Sequence, residues 1–191
     1  MKALKGAEMT SLADRESAVR LAWAALKLSK AGRHPVSIGR LAAAVGLEPE
    51  DARRLAGMIG FTVRGDLVQA GKVGQAPPGT ASGVLQDGAM GLFVLAIATG
   101  EHLHSVSTCP TTGARIRIDL TPRAVLLVDP PTAVIAITDL YLGFDRQESV
   151  FFASHDAAAG WIARNARSRT YLVTEYLEHA HHFVDYLEGR H

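Results

Sequence analysis

The chain has 191 residues, twenty basic against nineteen acidic side chains for a formal net charge of +1, 48% hydrophobic residues and one cysteine. That length supports one compact domain, or one with a smaller satellite, around a core that needs no covalent staple. A near-zero charge supplies no broad positive field to hold a phosphate backbone, and a lone thiol excludes an intramolecular disulfide. The opening MKALKGAEMTSLADRES never builds an apolar leader core, and the apolar run that begins at Gly88 is too short to span a bilayer. A cytoplasmic protein with no membrane segment is expected.

Ser11 or Asp14 can cap a first helix with apolar positions at Val19, Leu21, Trp23, Leu26 and Leu28, and Gly32 ends its pattern. Ser37 can cap a short second helix whose inner face is Ile38, Leu41, Ala42 and Val45, stopped at Gly46. Pro49 and Glu50 suit the first turn of a third, packed through Ala52, Leu55, Ala56, Met58 and Ile59. Phe61 to Val63 and Leu67 to Gln69 then read as hairpin strands around Arg64, Gly65 and Asp66. Three helices and a hairpin in that order predict a winged-helix-like helical domain over residues 1–70. In a DNA reader the third helix would enter the major groove, but its outward positions Glu50, Asp51, Arg53 and Arg54 set two acids against two bases. A scaffold or lid role is expected, and DNA binding is not.

Residues 71–83, rich in glycine with Pro77 and Pro78 adjacent, predict a linker or crossing loop without a phosphate-binding signature. Residues 84–191 predict an α/β domain centred on a sheet. The run from Ala89 to Ala98 has no usable periodicity, and its Ala, Met, Leu and Phe content favours a buried helix over a strand. Ile116 and Ile118 alternate with Arg115, Arg117 and Asp119, as in a strand with one buried face. Val125 to Val128 and Val134 to Ile137 are β-branched runs separated by Asp129, Pro130, Pro131 and Thr132. The C-terminal part predicts one helix from Asp156 and a final amphipathic one beginning near Tyr171, with Leu172, Val173, Tyr176 and Leu177 on its packing side.

His102 and His104 fall on one side of an extended segment, and a turn at Cys109 can bring a thiolate toward them; this set suits Zn(II) or Cu(II). The alternative places both imidazoles on a polar strand face and buries Cys109 under its turn. Asp145 and Arg146 can orient an anionic substrate or form an exposed ion pair.

The segments GLFVLAIATG, HSVSTCPTTGARIRIDLTP and FFAS, followed by a helix containing Trp161, resemble the core of the alkylmercury lyase family. The stretch HPVSIGRLAAAVGLEPEDARRLAGMIGF resembles that family's N-terminal helix-turn-helix region, so the likeness runs from about residue 20 to residue 188. It implies an alkylmercury-lyase-like α/β core with a winged-helix-like domain packed on it. It also implies carbon-mercury cleavage by two cysteine thiolates and a carboxylate, because soft sulfur captures soft Hg(II) while an acid protonates the carbon. Counted from the matched motifs, the nucleophilic cysteine falls on Gly88, the aspartate on Gly91 and the second cysteine near Arg146, while Cys109 matches a cysteine read as structural. Asp87 occupies nearby space if the loop shifts by one residue; otherwise it caps the helix that Gly88 begins.

The expected function is therefore that of a small-molecule enzyme with a remodelled pocket around Asp87, Gly88, Gly91, Asp145 and Arg146, without ordinary organomercurial cleavage. A small organic molecule is the expected partner, and loss of the catalytic side chains is expected to enlarge the site. A noncatalytic small-molecule or metal-binding protein and a winged-helix transcriptional regulator are the alternatives.

Overall fold

The computed structural model describes residues 12–30, 32–69, 88–138, 149–165 and 167–190. Helix α1 (Leu12–Leu28) is followed by β1 (Val36–Ser37), α2 (Ile38–Val45), α3 (Pro49–Met58), β2 (Thr62–Arg64) and β3 (Leu67–Gln69). The local signals act as their chemistry dictates. Ser37 accepts a hydrogen bond from the Arg40 amide at 3.3 Å, Gly46 closes α2 at φ 69°, and Pro49 opens α3. A three-stranded antiparallel sheet, ordered β1-β3-β2, completes this unit, with Gly65 turning at φ 58°. Ser11 and the linker expected at 71–83 lie outside the described residues.

Helix α4 (Gly88–Thr99) confirms the helical reading of the apolar run: Met90, Phe93, Val94 and Ala96 are buried, as an apolar helix in a protein interior requires. Strands β4 (Leu103–Thr108), β5 (Arg115–Leu120) and β6 (Val125–Asp129) form one antiparallel sheet; β7 (Val134–Thr138), β8 (Ser149–Phe152) and β9 (Ser168–Leu172) form another, ordered β8-β7-β9. The single central sheet expected from sequence is thus two sheets. The chain turns between them at Pro130 and Pro131, residues that have no amide hydrogen to continue a ladder. In β5, Ile116, Ile118 and Leu120 are buried while Arg115 and Arg117 face solvent; β7 is buried from Val134 through Ile137 because it is the centre strand and is covered by helices.

Helix α5 (His155–Arg164) packs on the β7 sheet, and α6 (Val173–Leu187) packs against β6, β7, β9 and α4. The final helix starts later than predicted: Tyr171 and Leu172 belong to β9, and Leu172 is exposed rather than packed. Strand pairing with β7 outweighs helix continuation there, with Tyr171 opposite Ile135.

Helix α1 packs against α4 and α6, and the buried side chains of both halves form one continuous core. Glu188, at the end of α6, fastens that junction by accepting hydrogen bonds from the Trp23 indole at 3.2 Å and the Lys27 ammonium at 2.5 Å. Burial raises its pKa, but the hydrogen bond and charge of Lys27, with Trp23 and Arg190, outweigh that and hold it below the ordinary 4.5. A carboxylate depressed on folding stabilises the fold above its unfolded pKa and loses that contribution as pH falls through the folded value. Glu188→Gln is therefore expected to cost about 1 kcal/mol at neutral pH. The deficit should shrink as pH falls from neutral through the carboxylate's depressed folded pKa, as urea unfolding curves at neutral and acid pH will show.

Candidate functional site

The position that the sequence resemblance sets against a catalytic cysteine, Gly88, lies where α4 begins beside β8. Gly88 sits at φ 83°, and a Cβ placed on it would lie 2.7 Å from Ser149 Oγ and 2.9 Å from the Ser149 carbonyl oxygen. The Ser149 hydroxyl accepts a hydrogen bond from the Met90 amide at 3.0 Å, pairing one of the first-turn amides that a helix cannot satisfy internally. Ser149 thus occupies the space that a side chain at position 88 would take. Gly91 is buried one turn on, facing the core. Asp87, Asp145 and Arg146 lie outside the described residues. Sequence reasoning missed Ser149, which is 59 positions from its partner Met90 and carries no local signal.

Cys109 directly follows β4 and is 1% exposed. Its amide donates to the Ala114 carbonyl at 2.8 Å and its carbonyl accepts from the Gly113 amide at 2.9 Å, closing the turn that Gly113 permits at φ 71°. Burial raises the thiol pKa, yet hydrogen bonds to the sulfur from the Thr112 hydroxyl and the Ala153, Thr112 and Thr111 amides bring it below the ordinary 9.0. The FFAS segment meets this turn directly. Phe151 and Phe152 are buried, the Ala153 carbonyl accepts from Thr132 at 2.8 Å, and Ser154 caps α5 by accepting from the Ala157 amide at 3.2 Å. Thr111 closes the circuit by donating to the Ala157 carbonyl at 2.8 Å. The two motifs that carry the family likeness thus form one joint between sheets.

His102 and His104 do come together on the outer face of the β4 sheet, with ring centroids 4.4 Å apart. Register places Asp119 opposite His104, and its carboxylate lies 2.5 Å from His104 Nδ1. The ligand atoms of His102, His104 and Asp119 all lie within 4.8 Å of one another, a cluster capable of coordinating a metal ion. Cys109 is not part of it. Five residues of extended chain separate it from His104, about 16 Å at strand rise, so the expected sulfur ligand is replaced by a carboxylate from the neighbouring strand.

On α6, His179 stacks near Tyr171 with ring centroids 4.3 Å apart, while His181 Nε2 contacts the Pro122 carbonyl at 2.7 Å. Buried Tyr176 meets Phe93 edge to face at 4.9 Å, and burial raises its phenol pKa well above the ordinary value. A half-open cleft of about 410 Å³ also lies between α1, α2 and the end of α6, lined by Trp23, Lys27, Val45, Leu187 and Glu188 among others. Among the described residues no helix is long and apolar enough to cross a membrane.

A family model described as alkylmercury lyase matches residues 89–185. No curated protein matches the chain. Among solved structures, the crystal structure of the mercury-bound form of MerB2 is similar, with a TM-score of 0.57 at 14% identity over 91% of this chain and 92% of that one. At that identity the likeness shows a shared fold, and the mercury belongs to the other protein. The matched model spans just over half of the sequence, including the cysteine turn, the FFAS segment and both sheets, so this chain belongs to the alkylmercury lyase family.

Proposed function

We propose that this protein is a divergent member of the family that no longer cleaves carbon-mercury bonds and uses its remodelled scaffold to handle a small organic molecule. The observation that carries this reading is the start of α4, where Gly88 has neither a thiol nor room for one beside Ser149. Gly91 offers no carboxylate to protonate carbon, and a chain with one cysteine cannot chelate Hg(II) between two protein sulfurs. The winged-helix-like unit serves as scaffold in this reading. Arg54 is engaged by Asp14 at 3.0 Å and Asp51 at 3.3 Å, and Arg53 binds the Gly65 carbonyl, so both basic groups of α3 are held by the protein itself.

The decisive assay is hydrocarbon release from an alkylmercury substrate over several protein equivalents, against a buffer-thiol control. The expected result is no release above the control, with at most one mercury bound per chain. Loss of free substrate alone is an unsafe readout, because Cys109 can capture mercury without breaking the carbon bond. Multiple turnovers that require folded protein would overturn the proposal. Native followed by denaturing mass spectrometry of protein purified without additives tests the binding half, with a small organic molecule released on denaturation as the expected result.

A further inference from the structure

We propose that His102, His104 and Asp119 form a surface site for a borderline divalent metal ion, Zn(II) or Cu(II), separate from the start of α4. Strand geometry builds it. His102, just before β4, and His104 within it are both exposed with ring centroids 4.4 Å apart, and antiparallel register sets Asp119 of β5 against His104. The three donor atoms lie within 4.8 Å of one another, close enough to converge on one ion after small rotations of exposed side chains.

The donor set is two imidazole nitrogens and one carboxylate oxygen. That composition suits Zn(II) and Cu(II) better than the hard ions Mg(II) or Ca(II), which prefer oxygen alone. A simple surface ion pair accounts for His104 and Asp119 but leaves unexplained why a second imidazole stands 4.4 Å from the first. With three protein ligands at an exposed position, a fourth site stays open to water or to an external ligand. The arrangement is also anchored, since Glu101, next to His102, is gripped in two-point fashion by Arg33 at 2.8 Å for both contacts.

The site is remote from Gly88. Helix α4 has twelve residues, about 18 Å of rise, and His102 follows its opposite end. A metal here clamps β4 to β5 and offers a coordination position on the sheet's outer face, and it takes no part in chemistry at the start of α4.

Equilibrium dialysis of untagged, chelator-stripped protein with Zn(II), and electron paramagnetic resonance with Cu(II), test the assignment. One equivalent per chain is expected, with nitrogen hyperfine structure from two imidazoles on copper. His102→Gln, His104→Gln and Asp119→Asn should each weaken binding at least about tenfold. Cys109→Ser and His179→Gln should leave it unchanged. These ligands are surface residues, so circular dichroism should show each variant folded. Absence of saturable binding, or binding of equal strength in all three ligand variants, would overturn the proposal.

Discussion

Placing a cysteine at position 88 is expected to destabilise the protein by roughly 2–5 kcal/mol and to produce no lyase. Two independent penalties act. Backbone φ is 83°, a region that side-chain-bearing residues adopt at a cost of about 1–2 kcal/mol. The new Cβ would also meet Ser149 Oγ at 2.7 Å and the Ser149 carbonyl oxygen at 2.9 Å, so β8 or α4 must move; overpacking of this kind costs about 1–3 kcal/mol. Any such shift also strains the hydrogen bond from the Met90 amide to Ser149 Oγ. Ser149→Ala in the same chain should recover only part of the loss, since it removes the hydroxyl and leaves the carbonyl contact and the backbone angle in place. Denaturant unfolding of Gly88→Cys with and without Ser149→Ala measures both quantities. Wild-type stability in the single variant would mean that the start of α4 adapts freely, and the structural argument against the lost chemistry would fall with it.

Cys109→Ala is expected to cost about 2–4 kcal/mol, and Cys109→Ser clearly less. The sulfur is 1% exposed and accepts hydrogen bonds from the Thr112 hydroxyl and from the Ala153, Thr112 and Thr111 amides. Alanine takes the acceptor away from those donors, of which the Ala153 amide belongs to a buried residue, and leaves a void the size of the sulfur, whereas serine retains an acceptor. Burial also governs reactivity. Although the surrounding donors favour the thiolate, a mild thiol reagent must wait for the turn to open, so modification should be slow in folded protein and fast in denaturant. If Ala and Ser variants unfold at the same urea concentration, the donors around sulfur contribute nothing. Rapid labelling of the native protein would show the turn to be open on the labelling timescale.

The joint gives these motifs a structural role of their own. The cysteine turn and the FFAS segment hold β4, β8 and the start of α5 in register through Cys109, Thr111, Thr132 and Ser154. None of these contacts uses the groups that cleave carbon-mercury bonds. A chain can therefore keep the motifs for stability whether or not it keeps the family's chemistry.

Short-range physics was legible in the residues themselves. Ser37, Gly46 and Pro49 fix the boundaries of α2 and α3 through their own backbones, the alternation around Ile116 and Ile118 declares the buried face of β5, and the β-branched run from Val134 marks a strand buried on both sides. The single thiol already showed that the chain has no cysteine pair, and the resemblance set Gly88 and Gly91 against the catalytic cysteine and aspartate. What the tertiary structure alone decided are encounters between distant residues. Pairing with β7 makes Tyr171 and Leu172 a strand although the following sequence is helical, Ser149 comes to occupy the space beside Gly88, and antiparallel register gives the histidine pair Asp119 in place of Cys109. Periodicity and capping act over a few residues through one backbone, whereas these contacts depend on which strand lies beside which, a choice made by burying the whole core at once.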